Sequence, residues 1–143
     1  TAKGLCYALN IPLIAIDTLQ IIAKKIKIDS GIIQPMIDAR RMEVFTASFS
    51  ADYKLIGETT ALILDENAFK DLNGPIHFLG DGAFKSEEIL QNDYFIFHSE
   101  LKYPSAKEMV SLSFDAFNES KFEDVAYFEP YYLKDFMLTT KKK

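Results

Sequence analysis

Apolar and polar positions alternate most clearly between Ile32 and Phe49, where two apolar runs flank a short charged insert. The first run, 32–38, and the second, 43–50, each read as a strand, with Phe45, Ala47 and Phe49 sharing one face of the second. Asp38, Arg40, Arg41 and Glu43 fall within six positions between them. Two extended segments joined so closely pair antiparallel as a hairpin, which puts four charges at its tip. Such a tip is either a solvated turn or the rim of a site.

Period 3.6 takes over on both sides of this hairpin. Leu5, Ala8 and Leu9 share a helical face, and Asn10 followed by Pro12 is a stop signal. Pro12–Ile16 reads as a short buried strand. Asp17 or Thr18 caps a helix whose apolar positions are Leu19, Ile22, Ala23 and Ile26, broken by Asp29-Ser30-Gly31. Past the hairpin, a turn at Ala51-Asp52 leads to a third strand over 53–58 and a further extended stretch at 60–64. The pattern then predicts a helix from Asp65 to Leu72, a fourth strand at Ile76–Leu79, a helix over 83–91 and a fifth strand at Tyr94–Phe97. Ser105-Ala106-Lys107-Glu108 has the form of a capping box opening a helix to Asn118, with Met109, Leu112 and Ala116 on one stripe. The aromatic remainder through Tyr131-Tyr132-Leu133 is expected to lie back on the core.

From Ile32 the order is three strands, helix, strand, helix, strand, helix. Three consecutive strands make an antiparallel meander, and the later ones join through helical crossovers. The expected fold class is therefore α/β: a ribonuclease-H-like lobe with a mixed five-stranded sheet, of the kind that actin-like ATPases use twice. On that reading residues 1–29 are the C-terminal remnant of a first lobe, 30–134 form the second lobe, and 135–143 are a tail ending in Lys141–Lys143. The chain opens without Met and already inside a helix, which is read as a cut within a larger protein.

Composition narrows the function classes. With 143 residues, 48% hydrophobic and 26% charged, the chain can bury an ordinary single core. The net charge is −5, and setting aside the three terminal lysines makes it −8. No basic face is visible, so autonomous nucleic-acid binding is not expected; Lys24, Lys25 and Lys27 read as a solvated helix end. No apolar run is long enough for a membrane span. The single Cys6 excludes an internal disulfide and, with no signal-peptide pattern, points to a cytoplasmic setting, Cys6 itself being a packed thiol.

The candidate chemistry is sparse. Gly80-Asp81-Gly82 lies between a strand and a helix, where glycines let backbone approach a ligand and a helix N-terminus offers free N–H groups; a plain strand-to-helix turn needs the same residues. His77 and His98 are embedded among apolar and aromatic neighbours and read as structural. No His-rich metal spacing and no nucleophile elbow is present, so neither a metal site nor a catalytic residue is assigned. In an actin-like ATPase the first hairpin of the second lobe carries a Gly-rich turn whose amides cradle a phosphate. Here that turn, Asp38-Ala39-Arg40-Arg41-Met42, has no glycine, which argues against an ATP grip. Asp38 capping the turn and a surface pair between Arg41 and Glu43 are the bland alternatives to a rim or partner-contact role.

Four spaced segments carry a resemblance to a known family: Ala2-Lys3-Gly4-Leu5, Ile16-Asp17-Thr18-Leu19, Pro35-Met36-Ile37-Asp38-Ala39-Arg40-Arg41-Met42-Glu43-Val44-Phe45 and Glu129-Pro130-Tyr131-Tyr132-Leu133-Lys134. They resemble TsaB, also called YeaZ. The resemblance implies a cytoplasmic bacterial protein of two actin-like lobes that works with TsaD and TsaE in making the threonylcarbamoyladenosine modification of tRNA. It implies a non-catalytic scaffold, homodimeric or paired with TsaD, with no cofactor of its own and ATP used by partner proteins. Asp38, Arg40, Arg41 and Glu43 become partner or interlobe contacts, and Gly80, Asp81 and Gly82 a degenerate nucleotide platform. An active nucleotide-dependent ATPase lobe and a glycoprotease-type peptidase are the alternative functions. Most of a first lobe, roughly 80 residues on the resemblance, would precede Thr1. The edge of the Pro12–Ile16 strand, or the apolar faces of the first two helices, is then expected to be covered by another copy of the chain.

Overall fold

A computed structural model describes residues 1–134. Two short helices, α1 (Ala2–Leu9) and α2 (Thr18–Ala23), precede the hairpin strands β1 (Ile32–Asp38) and β2 (Glu43–Ser50). Then come β3 (Leu55–Ile63), β4 (Ile76–Leu79), α3 (Asp81–Ser86), β5 (Phe95–Phe97) and α4 (Ala106–Asn118). The five strands form one sheet in the order β3-β2-β1-β4-β5. β3, β2 and β1 are antiparallel, while β4 and β5 join β1 in parallel. This is the expected ribonuclease-H-like lobe.

Apolar residues cover both faces of the sheet. On one, Leu19, Ile22 and Ala23 of α2 pack on Ile33, Ala47, Phe49 and Leu79. On the other, Ala83 of α3 and the loop residues Leu64 and Leu90 close over Met36, Val44, Ile76 and Phe78. Burial on both faces explains why β1 and β4 read as continuous apolar runs. Pro35 sits in the middle of β1, where it cannot donate to the sheet ladder. Side chains bridge the gap. Gln34 Nε2 donates to Thr46 Oγ1 (2.7 Å), Ser48 Oγ donates to Gln34 Oε1 (2.6 Å), and Thr46 Oγ1 donates to the Pro35 carbonyl (2.8 Å).

Several expectations are corrected. Pro12–Ile16 forms no strand and joins no sheet; its one pairing is an isolated bridge from Leu13 to Glu123, and Leu13 alone is buried. Residues 65–72 form successive turns, with Phe69 at φ 67°, because Phe69 leaves the helical path to reach Phe78. The 83–91 helix is the shorter α3, followed by turns. α2 ends at Ala23, and residues 55–63 are one strand with a register shift opposite Thr46–Ser48. The capping box does not form: Ser105 Oγ donates to the Glu108 carboxylate, and neither side chain caps the other's backbone N–H.

Packing differs from expectation in four places. Leu5 and Leu9 of α1 are exposed and Cys6 is the buried residue. Met109 is also left partly outside the α4 stripe, where Leu112 is buried. The lysines after α2 are engaged, Lys24 over the Tyr53 ring at 4.0 Å and Lys25 with Glu108 at 3.8 Å. The C-terminal aromatics do not lie flat on the core: Tyr127, Tyr131 and Tyr132 are 84%, 78% and 80% exposed. Lys141–Lys143 lie outside the described residues.

Candidate functional site

The β1–β2 hairpin closes through Ala39 N–H to the Glu43 carbonyl (3.0 Å) and Glu43 N–H to the Arg40 carbonyl (2.9 Å). Between them Arg40, Arg41 and Met42 adopt φ of 68°, 46° and 58°. Three successive non-glycine residues in the left-handed region are strained. Hydrogen bonds hold them there. Asp38 Oδ1 accepts from Arg40 N–H at 2.7 Å, and the Met42 carbonyl accepts from Leu64 N–H at 2.7 Å.

The second candidate, Gly80-Asp81-Gly82, stands beside this turn. The Asp81 carboxylate accepts the Asp38 backbone N–H at 2.9 Å. Gly80 has φ 101°, and a Cβ there would overlap the Met36 carbonyl. A Cβ on Gly82 would lie 2.8 Å from Val44 Cγ1 and 3.0 Å from Met36 Cβ. Both glycines therefore serve the close approach of α3 to β1. That approach carries Lys85, which sequence reasoning missed. Its ammonium donates to Asp38 Oδ1 and, at 2.7 Å, to the Glu43 carbonyl. Bonding from Lys85, then from the Arg40 amide, holds the Asp38 carboxyl below its ordinary value.

Arg41 makes no pair with Glu43. Glu43 bonds Lys134 instead, and neither Arg40 nor Arg41 has an ion-pair partner among the described residues. Both arginines are exposed. Lys134 lines a groove of about 500 Å3 together with Asp17, Leu19, Ile37, Phe45, Pro130 and Tyr132, among others. Three segments far apart in sequence, 16–19, 35–45 and 129–134, thus meet in one groove. Lys3 ties the fourth to the same C-terminal stretch, donating to the Ala126 and Phe128 carbonyls at 3.0 Å each. Nothing in local sequence signals Lys85 or Lys134, because their partners lie 47 and 91 positions away.

The remaining candidates lie apart from this turn. Cys6 is buried, with its thiol 3.7 Å from the Pro12 carbonyl. His77 and His98 face each other rather than a serine or cysteine, Nδ1 to Nε2 at 3.0 Å. Among the described residues no group of three His, Cys, Asp or Glu could hold a metal ion, and no helix is long and apolar enough to cross a membrane.

The sheet order and the paired turns define an α/β protein of the ribonuclease-H-like, actin-like class. Two solved structures from Pseudomonas aeruginosa share the fold. YeaZ superimposes with a TM-score of 0.76 at 22% identity, covering 92% of this chain and 64% of that one. A protein described as similar to the peptidase YEAZ gives 0.75 at 23% identity, covering 92% and 63%. The chain belongs to the family described as TsaD, tRNA N6-adenosine threonylcarbamoyltransferase, which it matches over residues 1–142. It is 28% identical over 145 residues to the tRNA threonylcarbamoyladenosine biosynthesis protein TsaB of Bacillus subtilis (strain 168), covering 93% of this chain. The chain spans 60% of that relative's length.

Proposed function

We propose that this chain is the C-terminal lobe of a non-catalytic scaffold that supports a TsaD-type enzyme in threonylcarbamoyladenosine modification of tRNA. One observation carries the reading: of the six backbone amides from Asp38 to Glu43, four are spent on the protein itself. The amides of Asp38, Ala39, Arg40 and Glu43 are all engaged, and the Lys85 ammonium rests on Asp38. A phosphate cradle needs such amides free and small residues around them. Here the carboxylate of Asp38 stands at the turn with its own cation, Lys85. Gly80 and Gly82 are committed to packing on Met36 rather than to a nucleotide platform.

Residues 1–29 belong, on this reading, to a preceding lobe, and 30–134 to the second. The exposed Leu5, Leu9 and Ile11 then pack against other parts of the full assembly, including a second copy of the chain. The partner-contact role falls to Arg40 and Arg41, whose guanidinium groups have no ion-pair partner among the described residues. The TsaD-type enzyme and a TsaE-type ATPase supply the chemistry and use the ATP, in the cytoplasm. Calorimetric titration of Mg-ATP into the protein tests this. No saturable heat is expected; binding tighter than about 10 µM, an affinity near −7 kcal/mol, would favour an ATPase lobe instead.

A further inference from the structure

His77 and His98 are used by nothing described so far. His77 lies in β4, and His98 directly follows the neighbouring parallel strand β5. Their nitrogens are 3.0 Å apart, their ring centroids 5.3 Å apart and their planes inclined by 19°. Subtracting one ring radius at each end from the centroid separation leaves about the observed N···N distance. The two nitrogens therefore lie on the line between the centroids, and the rings meet edge to edge in nearly one plane. That is the geometry of a straight N–H···N hydrogen bond, not of face-to-face stacking.

A bond of this kind admits one proton between the facing nitrogens. In the neutral pair one ring donates and the other accepts. After one proton is added, an imidazolium donates to a neutral ring and the bond becomes charge-assisted. A second added proton sets N–H against N–H, and the contact must open. Glu100 is the one carboxylate among the described residues within 4.0 Å of either ring, 3.8 Å from His98 Nδ1. The charge acting on His77 comes from His98.

The pair's position gives it a consequence. The loop after β5 is fastened to the end of β4 by His98 N–H to the Phe78 carbonyl (2.9 Å) and Gly80 N–H to the Leu101 carbonyl (2.8 Å). Leu101 N–H closes the loop on the His98 carbonyl (3.0 Å). Gly80 opens the turn that presents Asp81 to the hairpin.

We infer that His77 and His98 form a proton-sharing latch that fastens the 98–101 loop to the end of β4 and releases it when both rings are protonated. Burial, then the neighbouring His98, already lowers the tendency of His77 to take a proton, which places release on the acidic side.

NMR titration of both imidazoles in the whole protein, with amide exchange followed at Gly80, His98 and Leu101, tests the latch. The expected result is a coupled pair of ring titrations, with exchange at these three amides rising on the order of tenfold, beyond the intrinsic pH effect, as the second proton binds. In His98→Gln the His77 curve should become a single uncoupled titration, still lowered by burial, and the extra step in exchange should vanish. Two independent ring titrations in the unsubstituted protein would overturn the proposal without any variant. So would amide exchange at these sites that follows only its intrinsic pH dependence.

Discussion

At the level of single residues, Asp38 and Lys85 organise the hairpin tip. Asp38 takes one amide and one ammonium into its own carboxylate, and its backbone N–H goes to Asp81. Its depressed titration has a signed consequence. The unfolded chain binds the proton more readily, so Asp38 contributes stability above its ordinary value of 3.8 and loses it as pH falls below. Asp38→Asn should flatten the acid limb of a stability-versus-pH curve below about pH 4, measured by urea unfolding. His77 acts in a higher window. Its folded form resists protonation, so stability should fall as pH drops below its ordinary 6.5, and His77→Gln should remove that slope. Substitutions in the turn separate strain from contact. Arg41 is exposed at φ 46°, so Arg41→Gly should be neutral or stabilising by up to about 1 kcal/mol. The opposite holds beside α3, where Gly82→Ala must displace Val44 or Met36 and should cost about 1–3 kcal/mol.

Among the elements, what the sequence revealed and what it hid have separate physical causes. The β1–β2 hairpin, the order of the five strands and α4 were legible because alternation and capping signals are local. β1 could be read despite Pro35 because its apolar run is continuous, although the Gln34–Thr46–Ser48 bonds that permit the proline could not be foreseen. The helix expected at 65–72 failed because a tertiary contact overrides propensity there. Phe69 turns inward to Phe78, with ring centroids 5.3 Å apart, and Phe78 also meets Phe95 and Phe97 at 5.1 and 4.9 Å. Phe78 should therefore be the costliest single truncation in the sheet. Phe78→Ala is expected to lose about 3–5 kcal/mol in denaturant unfolding. The hairpin and Gly80-Asp81-Gly82 were each legible as candidates, but their union through Lys85 was not.

On the scale of the whole molecule, the sheet brings distant segments together. Lys134 reaches Glu43 at the hairpin, Lys3 anchors the stretch around Ala126 and Phe128, and residues 16–19 line the same groove as Lys134. Charge at the hairpin tip faces outward through Arg40 and Arg41. Reversing both should weaken association with a TsaD-type enzyme by on the order of tenfold or more, while stability changes by less than about 0.5 kcal/mol, as for exposed positions free of structural contacts. The central claim, that this lobe supports modification without performing it, is tested most directly by threonylcarbamoyl incorporation into tRNA. Reactions with TsaD- and TsaE-type partners would be run with and without this protein, alongside this protein alone. Incorporation should depend on adding the protein to its partners and be absent when the protein is alone. Incorporation by the protein alone, or incorporation by the partners that is indifferent to its presence, would contradict the account.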